Sequence, residues 1–193
     1  MFQLFDQTGS RKYLNAAERE AFLKASEDAA REVRTFCAVL HFTGVRLNEA
    51  LNLTADRIDL NAQQIVIESL KKRKKGIYRA IPVPASLLDM LDLVHNIKER
   101  QRARDKGASE KLWTWSDTTA WRRVKEVMDK AGLSGAQASP KGLRHGYGVH
   151  AVQSNVPLNM VQKWMGHADI STTAIYVDAV GEEEQNIAAR MWA

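Results

Sequence analysis

The chain has 193 residues, 45% hydrophobic and 26% charged, a globular balance that excludes a disordered tail, a collagen-like chain and a coiled-coil rod. Lys and Arg number 28 against 23 Asp and Glu, a formal net charge of +5 that on its own points only weakly towards a polyanionic partner. One cysteine, Cys37, excludes an intrachain disulfide and a thiolate metal cluster; set in an apolar run, it reads as a buried structural thiol.

Residues 1–12, including Thr8-Gly9-Ser10-Arg11-Lys12, read as a loose leader ahead of one domain over 13–193. Helical periodicity starts after Asn15, an N-cap residue, with Ala16, Ala17, Phe22 and Leu23 as the apolar positions and Glu18 in the first turn. A second helix is predicted over 29–42, with Val33, Phe36, Cys37 and Leu40 on one stripe. Thr43-Gly44 breaks it, and Arg46 opens a short helix through Leu47, Ala50 and Leu51. From Ile58 the period changes to that of strands: 64–67 and 77–81 flank a turn at Lys75-Gly76, with 57–60 as a third antiparallel strand. Pro82 and Pro84 end the hairpin. Leu87, Leu88, Leu91 and Val94 restore helical spacing, which continues into the basic stretch 98–106. Asp117 caps a helix to about residue 130, and 132–140 is loop. Short helices are predicted at 141–154, 158–165, 170–176 and 182–191. The fold class is α+β, a mostly helical domain with a small three-stranded antiparallel sheet.

The charge is not spread evenly. Between Lys71 and Lys106 lie eleven basic residues and four acids, a net of +7, so the rest of the chain sums to −2. A surface built only for solubility does not require that concentration. The N-terminus lacks a basic segment followed by an apolar core, and the longest stretch free of Asp, Glu, Lys and Arg, 145–162, carries His, Gln, Ser, Asn and Pro. Neither a signal peptide nor a membrane span is expected, and a cytoplasmic location follows.

Four blocks carry chemistry. They are Thr43-Gly44-Val45-Arg46-Leu47-Asn48-Glu49, Pro140-Lys141-Gly142-Leu143-Arg144-His145, Trp164-Met165-Gly166-His167-Ala168 and Ser171-Thr172-Thr173-Ala174-Ile175-Tyr176. In this order they resemble the catalytic domain of the tyrosine recombinases, the phage integrase family. The family pattern is an Arg after a Thr-Gly turn, a Lys on a β-hairpin, a His-x-x-Arg-His block, a Leu-Gly-His block, and a Tyr nine residues further on. His167 and Tyr176 have that separation. The sequence departs from the pattern twice: Lys141 stands where the family most often has His, and the N-terminal helical domain of most members is missing from these residues. The expectation is therefore a naturally short recombinase or a fragment of a longer one.

The residues make chemical sense without the family name. Arg46 and Arg144 suit the two non-bridging oxygens of a phosphodiester, because arginine is always charged and donates in a planar fork. The Tyr176 hydroxyl can attack phosphorus. The leaving 5′-oxygen needs a proton, and a hairpin lysine can supply it. Counting from Pro82 places that lysine at Lys74, with Lys72 as the alternative on the same strand face. Lys71, Lys72, Arg73, Lys75 and Arg79 are expected on DNA phosphates. His167 can donate to a non-bridging oxygen or assist Tyr176, Lys141 adds a cation, and Glu49 and His145 are possible supports behind the site. No metal and no cofactor is required.

Simpler readings stand beside these. Arg46 can pair with Glu49 at i+3 for a few tenths of a kcal/mol, residues 71–75 can be a solvated hairpin tip, and Tyr176 can be a core tyrosine. His41, His95 and His150 read as structural, and the five tryptophans as core or interface. The resemblance further implies a 3′-phosphotyrosyl intermediate, religation to a partner strand, and a tetramer on double-stranded DNA. Ile187, Ala188, Met191 and Trp192 form a stripe that docks on a neighbouring protomer or folds back on its own core. A type IB topoisomerase and a non-catalytic DNA-binding regulator are the rival readings.

Overall fold

Asn15 begins the first helix by reciprocal capping. Its side chain accepts from the Glu18 N–H at 2.8 Å, and the Glu18 carboxylate accepts from the Asn15 N–H at 2.8 Å, which satisfies two of the donors a helix start leaves open. The computed structural model describes residues 4–70, 76–103, 106–177 and 188–192. Helix α1 (Ala16–Glu27) packs on α2 (Arg31–Thr43). Gly44 ends α2 in the left-handed region at φ +59°, its N–H donating to the Leu40 carbonyl. A side chain there would run into the Tyr147 ring, so both conformation and packing select glycine. Arg46, extended, then leads straight into the one-turn helix α3 (Leu47–Leu51).

The sheet is a meander of β1 (Ile58–Asp59), β2 (Gln64–Glu68) and β3 (Tyr78–Pro82), all antiparallel, with Ile65 opposite Ile81 and Ile67 opposite Arg79. Ile65, Ile67, Arg79 and Ile81 are the buried positions, as the two-residue period of a strand requires. Residues 71–75, and with them Lys71, Lys72, Arg73, Lys74 and Lys75, lie outside the described residues.

The helix expected to run from Leu87 into the basic stretch is interrupted. Helix α4 (Ala85–His95) stops at Asn96, which adopts φ +53°, and α5 (Ile97–Arg102) restarts from the same residue. Helix α6 (Asp117–Lys130) is capped one residue earlier than expected, by the Ser116 hydroxyl accepting from the Thr119 N–H at 3.2 Å. Helix α7 (Pro140–Gln153) starts with Ser139 as cap and Pro140 in the first turn. Helix α8 (Leu158–Met165) ends at Gly166, again left-handed, and α9 (Ser171–Ala174) is a single turn. Of the helix expected over 182–191, residues 182–187 lie outside the described residues and Ala189–Met191 form a 3-10 turn.

Two cores result. The larger gathers Phe22, Phe36, Cys37, Leu40, Ile65, Ile81, Leu87, Trp113, Val124 and Leu143. The smaller joins Leu4, Tyr13, Tyr147, Val149, Val161, Met165 and Tyr176. The described part of the leader, residues 4–12, is therefore not loose. Asp6 Oδ1 accepts from the N–H groups of Thr8 and Ser10, Phe5 pairs with Arg11, and the turn delivers Leu4 into the smaller core. His41 and His95 are buried as structural residues, His95 sharing a 2.9 Å hydrogen bond with Thr35. Trp113 is core, whereas Trp121 is half exposed and Trp192 is 72% exposed. No helix among the described residues is long and apolar enough to cross a membrane.

Candidate active site

Arg144 emerges from the first turns of α7 and is 7% exposed. Its Nη1 donates to the Gly44 carbonyl and its Nη2 to the Met165 carbonyl, both at 2.6 Å. These carbonyls lie at the C-terminal ends of α2 and α8, where helix geometry leaves acceptors without partners and concentrates partial negative charge. Two helix ends thus seat the guanidinium. Burial, then the neighbouring Arg46 charge, lowers its pKa to about 10, which leaves it protonated near neutral pH.

Arg46 is held from below by Glu49. The carboxylate accepts from Arg46 Nη1 at 2.8 Å and from the Arg46 backbone N–H at 3.0 Å. The i+3 pair expected from sequence is real, but its carboxylate is fully buried while the Arg46 side chain keeps 27% exposure. Burial alone would raise the Glu49 pKa. The bond and charge of Arg79, and then those of Arg46, hold it below the usual value.

Arg79 corrects an expectation. In place of an exposed phosphate contact, it is a buried cation, 6% exposed. Its Nη2 and Nη1 donate to Glu49 at 2.6 and 3.4 Å, Nη1 also donates to Ser69 Oγ at 2.8 Å, and Nε donates to the Trp164 carbonyl at 2.7 Å. The pairing of Arg79 with the core-facing positions of β2 and β3 is the sequence signal that marked it; membership of a basic run obscured that signal.

The opposite wall is built from aromatic rings. Tyr176 is 2% exposed, and its hydroxyl shares a 3.1 Å hydrogen bond with His145 Nδ1. Its ring stacks on His167, centroids 6.1 Å apart and planes at 26°. A Cβ on Gly148 would come within 2.5 Å of the Tyr176 ring, so α7 presents a bare backbone surface to it. His167 follows the left-handed Gly166 and shares a 2.9 Å hydrogen bond from Nδ1 with Thr173 Oγ1. Sequence reasoning missed Thr173, a buried residue three positions before the tyrosine, where one helical turn brings both to the same side. Burial pushes the Tyr176 hydroxyl up to about 12, with Arg144 and Arg46 opposing. Burial, followed by the charges of Arg144 and Lys141, pushes His145 down to about 3.

Arg46, Lys141, Arg144, His145, His167 and Tyr176 all line one cleft of about 400 Å³, with Trp121 and Thr172 at its walls. A wider groove of about 750 Å³ shares Arg46, Leu47 and Trp121 with it. Glu49 lies beneath Arg46, and Arg79 behind Glu49. The predicted hairpin lysines Lys74 and Lys72 fall outside the described residues.

Fold and cleft together define a helical domain that aims fixed cations and a tyrosine hydroxyl at one small space. The family model described as the phage integrase family matches residues 12–183, and the chain belongs to that family, the tyrosine recombinases. Tyrosine recombinase XerA of Thermococcus onnurineus (strain NA1) is 28% identical over 180 residues, covering 89% of this chain and 59% of the relative. A resolvase of Escherichia coli is 30% identical over 190 residues, covering 86% of this chain and 72% of the relative. The chain spans about three-fifths of the length of the XerA relatives it matches. A crystal structure of XerA recombinase superposes with a TM-score of 0.76 at 21% identity, over 93% of this chain and 64% of that one. XerH site-specific recombinase bound to its difH substrate superposes with 0.72 at 22% identity, over 98% and 60%. These likenesses show the fold.

Proposed function

We propose that residues 13–193 are the catalytic domain of a site-specific DNA recombinase that cleaves and rejoins strands through a 3′-phosphotyrosyl intermediate. The observation that carries this is the convergence of Arg46, Lys141, Arg144, His167 and Tyr176 on one cleft. The scissile phosphate enters with its non-bridging oxygens towards Arg46 and Arg144, where charge-assisted bonds strengthen as negative charge builds in the transition state. The Tyr176 oxygen forms a bond to phosphorus and loses its proton to the solvent or to a neighbouring base. The bond from phosphorus to the 5′-oxygen breaks, and that oxygen takes a proton from Lys74 or Lys72. Attack by a 5′-hydroxyl reverses the step and releases Tyr176. His167 donates to a non-bridging oxygen, and Lys141 supplies a further cation at the cleft mouth. Lys71, Lys72, Arg73 and Lys75 hold flanking phosphates. The partner is double-stranded DNA in the cytoplasm, bound as a tetramer, and the exposed Met191 and Trp192 are the surface that docks on a neighbouring protomer.

The test is capture on a nicked suicide duplex drawn from a random-sequence library, read as a covalent adduct on a denaturing gel. An adduct that disappears in Tyr176→Phe supports the assignment. An adduct that persists in that variant overturns it. Binding with no adduct favours the DNA-binding regulator, and relaxation of a two-site plasmid without exchange favours the topoisomerase.

A further inference from the structure

Buried ion pairs are costly. Removing both charges from water takes several kcal/mol, and well-packed apolar residues often replace such pairs without loss of stability. Position 79 faces the core beside Ile81 and opposite Ile67, where an aliphatic side chain would pack without a partner. The chain instead places there an arginine that uses Nε, Nη1 and Nη2 on three different segments. Space is made for it: a Cβ on Gly166 would lie 2.9 Å from the Arg79 guanidinium carbon.

The geometry around Glu49 shows what this arrangement does. Arg79 takes both carboxylate oxygens, Nη2 on Oε2 and Nη1 on Oε1. Arg46 is left with one side-chain bond, Nη1 on Oε1. A carboxylate facing a lone arginine binds it through two parallel bonds, which would draw the Arg46 fork down onto Glu49 and use the donors that the cleft needs. With Arg79 occupying the carboxylate, Arg46 is anchored by one nitrogen and keeps the rest of its fork for a ligand. At its other end Arg79 holds the Trp164 carbonyl, one residue before the Met165 carbonyl that seats Arg144. One cation therefore braces the supports of both cleft arginines.

We propose that Arg79 is a positioning residue, which by engaging Glu49 and the end of α8 keeps the Arg46 and Arg144 guanidiniums aimed at the phosphate. The proposal rests on the recombinase reading above and adds to it a residue that never touches DNA.

The test uses the duplex captured by the wild-type protein, made with either an ordinary phosphate or a methylphosphonate at the scissile linkage. The methylphosphonate lacks the charged non-bridging oxygen and so asks less of the arginine pair. Arg79→Met is expected to cleave the phosphate linkage about 100-fold more slowly, the scale of losing one aimed donor. On the methylphosphonate its deficit relative to wild type shrinks to about threefold or less. Restoring charge balance with Glu49→Gln in the same chain is expected to recover part of the phosphate rate, because Arg46 is released. If Arg79→Met does not fold by thermal melting, Arg79→Lys is put through the same comparison. Equal deficits on both linkages, or no deficit on the phosphate in a folded variant, overturn the proposal. No adduct from the wild-type protein on any duplex overturns the recombinase reading, and this proposal with it.

Discussion

On the arginine wall of the cleft, positions are set by charge. Arg144 is seated by two helix-end carbonyls, and Arg46 and Arg79 share one buried carboxylate. On the tyrosine wall they are set by ring packing and hydrogen bonds: Tyr176 against His167, His145 and the bare backbone at Gly148. The arginine wall draws on α2, α3, α7, α8 and β3, whereas the tyrosine sits just past the one-turn helix α9. Charge-assisted bonds to backbone and buried carboxylate fix these cations in place, the preorganisation that the proposed phosphate binding requires. A hydroxyl held at the end of a single turn of helix can move without dismantling the larger core.

The comparison can be broken hardest at the proposed nucleophile. Tyr176→Phe is expected to remove covalent adduct formation entirely while lowering stability by about 1 kcal/mol, the scale of one hydrogen bond. Denaturing gels and thermal melting check the two parts. On the charged wall, Arg144→Lys is expected to slow cleavage by roughly 100- to 1,000-fold. It should also cost stability, on the order of 1–3 kcal/mol, because a lysine cannot reach both the Gly44 and Met165 carbonyls in their present geometry. Single-turnover rates and denaturant melts distinguish these losses.

Gly148→Ala sharpens the contrast from the packing side. The added methyl meets the Tyr176 ring, so a loss of about 1–3 kcal/mol is expected together with slower cleavage. A comparable methyl at Gly132, with nothing within 4 Å, should cost only the backbone strain of φ +70°, about 1 kcal/mol, and leave the cleavage rate alone. The last effect concerns protons. His145 is held neutral in the fold, with a pKa pushed from 6.5 to about 3, so the unfolded chain binds a proton that the folded one refuses. Stability is therefore present above pH 6.5 and lost as pH falls towards 3. His145→Gln should flatten that acid slope by at most about 1.4 kcal/mol per pH unit, read from melting temperatures between pH 7 and pH 4.

Much of this was legible in the amino-acid order, for identifiable reasons. Asn15 with Glu18, the apolar spacing of Leu158–Met165 and the alternation of 64–67 are local signals, and local physics decided those elements. Arg46, Arg144, His167 and Tyr176 were found through the resemblance of their blocks to the family pattern, and the structure brings them to one cleft. The misses have different causes. Arg79 looked like one more surface cation in a basic run, because Glu49 is thirty positions away and nothing local announces a buried partner. Asn96 broke a helix whose apolar stripe ran smoothly past it, since a left-handed asparagine leaves no mark on periodicity. The leader's Thr, Gly and Ser suggested looseness, while Asp6 turned the same residues into a tight loop.

That loop joins opposite ends of the described chain. Leu4 and Tyr13 belong to the same small core as Val161, Met165 and Tyr176. On a ribosome the N-terminal members of this core emerge first and wait for the last. The larger core, with Arg46, Glu49, Arg79 and Arg144 around it, draws on residues that have all left the tunnel before the tyrosine's neighbours are complete. Synthesis therefore delivers the charged side chains of the arginine wall before Tyr176, while the Trp164 and Met165 carbonyls that hold Arg79 and Arg144 arrive with the tyrosine's own small core. On the proposed function, a chain interrupted short of residue 176 would carry the arginines without the nucleophile, and so could form no covalent link to a DNA strand.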